Sequence, residues 1–90
     1  MNTLLVGYDL NRPGQNYADL ITFLKSQKSW CHPLDSTWLV TTSQNTAQFR
    51  DEVKRFIDSN DEALVVNVGG DAWASFNLST TVNDWLKAHV

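Results

Sequence analysis

The first ten residues of the chain contain a run of apolar residues that includes Leu4, Leu5 and Val6. Residues 3–10 therefore predict a strand with apolar side chains on both faces, which is typical of a central strand. One face holds Leu4, Val6, Tyr8 and Leu10, and the other holds Leu5, Gly7 and Asp9. The turn-forming sequence of residues 11–14 ends this strand.

Three segments have apolar residues at the spacing of a helix that packs on one side. The three stripes are Tyr17, Leu20, Ile21 and Leu24; Phe49, Val53, Phe56 and Ile57; and Val82, Trp85, Leu86 and His89. Asn16 can cap the first helix, and Ser79 or Thr80 can cap the last. In the second helix, Asp51 and Arg55 have the i, i+4 spacing of an ion pair.

The remaining segments predict strands. Residues 29–42 are rich in aromatic and β-branched residues and indicate a hairpin, with Pro33 at an edge position. The β-branched run of residues 62–68 predicts another buried strand, ended by Gly69-Gly70. Residues 71–78 follow no pattern. The resulting order, βαββαβ plus a C-terminal helix, predicts an α+β ferredoxin-like fold with two helices on one face of an antiparallel sheet.

The second face of such a sheet needs a cover. Leu5 and the apolar residues of the last strand leave hydrophobic surface there, which the tail helix or another subunit must bury. A chain of 90 residues buries only about 60–65% of its unfolded surface. We therefore expect a homodimer.

Composition indicates one globular domain, residues 1–90, with 42% hydrophobic and 19% charged residues. No apolar run is long enough to cross a membrane, and the N-terminus reads as a strand and not as a signal peptide. The single cysteine, Cys31, fits a reducing compartment, so we expect a cytoplasmic protein.

The net charge of −3 argues against a protein that binds nucleic acid with its whole surface. Lys54-Arg55 and Arg50 form a modest basic strip, interpreted first as a solvated helix face. Nucleic acid is a possible partner, but the charge balance disfavours it.

Asp9 is the leading candidate for chemistry, because it places a carboxylate where a strand meets a loop. It could bind Mg²⁺ or Mn²⁺, provided that waters, a phosphate or a second subunit supply further ligands. On the residues alone, the favoured alternative is that it closes an Asx turn by accepting N–H bonds from Asn11 or Arg12.

Other candidate motifs have simpler structural interpretations. Cys31 and His32 are neighbours on a strand and so point to opposite faces. His32, Asp35 and Ser36 contain the residue types of a catalytic triad but belong to a hairpin turn. The four tryptophans are interpreted as core or interface anchors.

Three stretches, YDLNRPGQNYADL, WCHPLDSTWLV and VVNVGG, resemble short bacterial and phage proteins of the SinR family. These are similar to the small CRISPR-associated endonuclease that accompanies the CRISPR integrase. The resemblance covers about Leu4 to Gly70. It implies a ferredoxin-like homodimer in which Asp9 and its copy share a metal ion, with phosphodiester cleavage in some members and adaptor roles in others.

Two functional hypotheses follow. In the first, the chain is a metal-dependent nuclease or nucleic-acid adaptor in which Asp9 binds Mg²⁺ or Mn²⁺ and Arg12 steadies a phosphate. In the second, it is a non-catalytic interaction protein whose homodimer is its working form.

Overall fold

The computed structural model describes residues 1–11 and 17–90 and contains one four-stranded antiparallel sheet with three helices. The elements are β1 (Asn2–Asp9), α1 (Ala18–Lys25), β2 (Ser29–Leu34), β3 (Thr37–Thr42), α2 (Thr46–Lys54), β4 (Glu62–Asn67) and α3 (Thr80–His89). The predicted order of strands and helices is confirmed. Asn16, the predicted cap of the first helix, lies outside the described residues.

The strands lie in the order β2-β3-β1-β4, so β1 is central, as predicted. It pairs with β3 from Asn2↔Thr42 to Gly7↔Thr37 and with β4 from Leu4↔Asn67 to Asp9↔Glu62. The predicted hairpin is also confirmed: β2 pairs with β3 and forms one edge of the sheet, where the missing N–H of Pro33 is tolerated.

Helices α1 and α2 cover the first face of the sheet, and their buried residues form its core together with those of β1 and β3. This core consists of Leu4, Val6, Leu20, Leu24, Trp38, Val40, Phe49 and Val53, each with no exposed surface. The first predicted stripe is confirmed, with Leu20 and Leu24 buried at its centre. The second is confirmed in part, because α2 ends at Lys54 and Phe56 and Ile57 follow it as partly buried residues.

The tail helix α3 packs on the second face of the sheet. Leu86 is buried there against Cys31 and Leu39, and Val82 and Trp85 pack around them. The side chain of Ser79 caps α3 by accepting a hydrogen bond from the Val82 N–H. Trp85 donates its indole N–H to the Ser29 hydroxyl at 2.8 Å, which ties α3 to the first residue of β2. The helix therefore supplies part of the cover that the second face requires.

Two predictions about the second half of the chain are wrong. The strand at residues 62–67 is not buried: it forms the other edge of the sheet, and most of its residues are exposed. An apolar β-branched run is compatible with either a central strand or an edge strand, so the pattern could not decide. The predicted Asp51–Arg55 ion pair is replaced by Arg50–Asp51 and Arg55–Glu52.

Candidate functional site

Asp9 is the last residue of β1 and is exposed. It lies on the second face of the sheet, because it alternates in phase with Leu5, which packs beside α3. Its register partner is Glu62, the first residue of β4. Directly opposed residues in an antiparallel pair have Cβ atoms about 5 Å apart, so two acidic residues are neighbours at this end of the sheet.

Sequence reasoning missed Glu62. The signal was present, since the last strand of the predicted fold runs antiparallel to the first and therefore begins where the first ends. The carboxylate of Glu62 also accepts a hydrogen bond from the Asn11 side-chain amide at 3.3 Å. Asp9, Glu62 and Asn11 thus form one polar group around the end of β1.

The structure tests one of the two N–H donors proposed for an Asx turn at Asp9. The Asn11 backbone N–H donates to Oδ1 of Asp61 at 2.7 Å and not to Asp9, so the prediction of Asn11 as the donor is wrong. Arg12, the other proposed donor and the proposed phosphate-binding residue, lies outside the described residues.

Asp61 fixes the loop that faces the end of β1. Besides the Asn11 N–H, its carboxylate accepts hydrogen bonds from the Tyr17 hydroxyl at 2.9 Å and from the Asp58 N–H at 2.7 Å. These bonds join the loop before β4 to the end of β1 and to the start of α1. Charge-assisted bonds of this kind are among the stronger ones in proteins, so Asp61 positions the segment that leads into Glu62.

The carboxylates of Asp9 and Glu62 provide oxygen ligands, which hard divalent cations such as Mg²⁺ prefer. Mg²⁺ is usually held by one or two carboxylates together with water, and Asp9 with Glu62 supplies two. Within residues 1–11 and 17–90, no three His, Cys, Asp or Glu side chains are grouped so that they could hold a metal ion together. The described part of the chain therefore offers at most a partial ligand set.

The second face of the sheet is covered unevenly. Around Leu5 and Leu39, α3 and residues 68–79 lie over it and form a half-open cavity of about 360 Å³ lined mainly by apolar side chains. Toward the other end of β1 the face is open: a methyl group placed on Gly7 would meet no atom within 4 Å. Leu64, the register partner of Gly7, is 64% exposed.

Further large apolar side chains are exposed on the strands of this sheet or on the segment that covers its second face. Leu34 is 58% exposed, and Val66 and Trp73 are 39% and 38% exposed. Leu34 and Trp73 line the rim of the same cavity. We call the group formed by Leu34, Leu64, Val66 and Trp73 the apolar patch.

In the hairpin turn, His32 makes structural contacts and does not belong to a catalytic triad. Nε2 of His32 donates to the backbone carbonyl of Asp35 at 3.0 Å, and the His32 ring stacks on Trp38 with centroids 3.9 Å apart. Trp38 in turn donates its indole N–H to the Tyr8 hydroxyl at 2.9 Å. Burial raises the pKa of Tyr8. These residues pin the turn to the first face of the sheet.

Cys31 lies on the opposite face from His32, as predicted, and is buried beneath α3. Burial raises the pKa of its thiol to about 11. A thiol with such a pKa carries little thiolate at neutral pH and is a weak nucleophile. Cys31 is therefore a packing residue.

The basic strip on α2 is solvated and locally neutralised. The Arg50 guanidinium lies 2.9 Å from the Asp51 carboxylate, and Arg55 lies 3.2 Å from Glu52. Pairs of this kind contribute roughly 0–1 kcal/mol at an exposed surface. The interpretation as a solvated helix face fits this geometry.

No protein-family model matches the chain, and no solved structure matches it. Across the described residues, no helix has both the length and the apolar character needed to cross a membrane.

Proposed function

We propose that this chain is a non-catalytic interaction protein that works as a homodimer. The observation that carries the proposal is the apolar patch beside the open half of the second sheet face. Exposed apolar side chains of this size are typical of interaction sites, and burying them against a copy recovers hydrophobic free energy that a small domain lacks.

We also propose that the fold is ferredoxin-like and that the chain is related to the SinR and CRISPR-associated group. The strand order, read as β4-β1-β3-β2, supports this proposal, as does the placement of α1 and α2 on one face. The three sequence stretches that resemble this group support the relationship.

The mass of the protein in solution tests the proposed function. Light scattering coupled to gel filtration should give about twice the chain mass of 10.2 kDa at micromolar concentration. Leu64→Lys places a charge in the apolar patch and should shift the mass toward that of the monomer. Thr22→Lys adds the same charge to the exposed surface of α1 and should leave the dimer intact. A wild-type monomer would contradict the proposal.

A second candidate function is metal-dependent cleavage of phosphodiester bonds, and the pairing of Asp9 with Glu62 favours it. These two carboxylates would hold Mg²⁺ or Mn²⁺, and Arg12 would steady the phosphate. When bound, the ion would supply a Lewis acid and an activated water.

Asp9→Asn tests this second candidate. Binding of the ion to the folded protein alone raises stability, by about 2.7 kcal/mol when the ion is at a hundred times its Kd. Mg²⁺ or Mn²⁺ should therefore raise the melting temperature of the wild type, and Asp9→Asn or Glu62→Gln should abolish the rise. Asp19→Asn, which removes an exposed carboxylate from α1, is the matched control. Cleavage of RNA or DNA that survives unchanged in Asp9→Asn would rule out this site.

A further inference from the structure

The two edges of the sheet differ in how they are protected from pairing with another strand. At the β2 edge, Pro33 removes an N–H and the register is irregular between Cys31 and Leu34. At the β4 edge, residues 62–67 pair with β1 in six consecutive positions without a bulge, and the strand contains no proline or lysine. Natural edge strands commonly carry such protective features. The β4 edge lacks them.

The hydrogen bonds of β4 fix which of its backbone groups face outward. The Val68 N–H donates to the Thr3 carbonyl at 2.9 Å, so alternate residues before it, Val66, Leu64 and Glu62, also direct their N–H and C=O toward β1. The residues between them, Ala63, Val65 and Asn67, direct theirs to the open edge. This edge therefore presents three N–H groups and three C=O groups in regular spacing.

We propose that β4 pairs antiparallel with β4 of a second copy, about a two-fold axis at Val65, to form a continuous eight-stranded sheet. This inference rests on the proposed homodimer and places its interface at the β4 edge, which includes Leu64 and Val66 of the apolar patch. In this register Val65 faces its own copy, and Ala63 faces Asn67 of the other copy. All outward backbone groups of the strand are then satisfied, by about six hydrogen bonds between the copies.

The side chains are self-complementary in the same register. Leu64 of one copy lies opposite Val66 of the other, in a non-hydrogen-bonded pair whose Cα atoms approach to about 4.5 Å. These are the two exposed large apolar side chains of β4, and the Leu64–Val66 contact would occur twice, once on each side of the axis. Cross-strand apolar pairs of this kind stabilise antiparallel sheets.

Charge does not oppose the pairing. Glu62 is the one charged residue of β4, and it lies at the end of the strand. With the axis at Val65, the two Glu62 residues lie at opposite ends of the interface, separated by about 20 Å along the strand direction. This distance exceeds the screening length of about 8 Å at physiological ionic strength. A second copy therefore matches this edge in backbone hydrogen bonding, side-chain pairing and charge.

Mixed cysteine variants test the register. Leu64→Cys and Val66→Cys, oxidised together, should form a disulfide-linked dimer, because a Cα separation of about 4.5 Å suits a disulfide. Each variant alone should cross-link far less, since like residues lie diagonally at about 8 Å across the axis. The buried thiol of Cys31 competes little.

Ala63→Pro distinguishes a dimer that pairs through β4 from a dimer that forms through another surface. The Ala63 N–H points away from β1, so proline should leave the intramolecular ladder and the circular dichroism spectrum unchanged while it converts the dimer to a monomer. Leu64→Pro removes an N–H that bonds to β1 and should destabilise the fold itself.

The outcomes distinguish the two proposals. A wild-type dimer that survives Ala63→Pro and shows no excess of the mixed cross-link would overturn pairing through β4 and leave the homodimer standing. A wild-type monomer would overturn both, and an extended peptide of another protein would then be the occupant to test at this edge.

Discussion

Replacing Phe49 with Ala should lower the free energy of unfolding by about 3–5 kcal/mol. Phe49 has no exposed surface, lies on the inward side of α2 and contacts Phe23 of α1 with ring centroids 5.3 Å apart. Truncation would remove the contact between the two helices and leave a cavity above β1. Urea unfolding followed by circular dichroism measures the change.

Phe56→Ala is the matched comparison for this prediction. Phe56 follows the end of α2, remains partly exposed and stacks on the same Phe23 ring at 5.0 Å. Its truncation should cost less than that of Phe49, because a partly exposed site loses less buried surface and leaves no closed cavity. Equal losses in the two variants would contradict the placement of α2.

Replacing Leu86 with Ala should lower the free energy of unfolding by about 2–4 kcal/mol. Leu86 is 7% exposed and is the residue of α3 that packs most deeply on the second sheet face, against Cys31 and Leu39. Thermal and urea unfolding should both report the loss. A second readout is specific to the site: loosening α3 should speed the reaction of the Cys31 thiol with a thiol reagent.

Lys87→Ala is the control for Leu86→Ala. Lys87 is the next residue of α3, is exposed and has the same helical backbone, so its replacement should change stability by less than about 0.5 kcal/mol. An equally small effect of Leu86→Ala would contradict the packing of α3 on the sheet.

Hydrophobic periodicity predicted the helices well because each helix buries a single stripe. Leu20 and Leu24 in α1 and Leu86 in α3 lie at the centres of their predicted stripes. The pattern could not place β4, because exposure of an apolar run depends on whether another strand covers it, which is a property of the assembled sheet. Residues 71–79 had no period, and they form no helix or strand.

The candidate site was predictable only in part. Asp9 was identified from its place at a strand end, and the structure places it there in the open. The role of Asp61 depends on contacts between residues about 50 positions apart in the chain, which local spacing does not reveal. Glu62 could be found only by way of the predicted antiparallel pairing of the first and last strands. The sequence predicted a carboxylate at this end of the sheet but not its neighbours.

Pairing through β4 bears directly on the predicted sharing of a metal ion by two copies of Asp9. In that dimer the two Asp9 residues would lie about 25 Å apart, given the spacings within and between strands. Ligands of one Mg²⁺ lie about 2.1 Å from the ion, so the two copies could not share it. If Asp9 binds a metal in this dimer, Glu62 of the same chain is the second carboxylate.

Amide hydrogen exchange along β4, measured above and below the concentration at which the dimer forms, tests the central claim most directly. We expect the N–H groups of Leu64 and Val66 to be protected at both concentrations, because they bond to β1. Those of Ala63, Val65 and Asn67 should exchange fast in the dilute protein and become protected in the concentrated one. Fast exchange of these three amides at every concentration, in a protein whose mass is that of a dimer, would contradict pairing through β4.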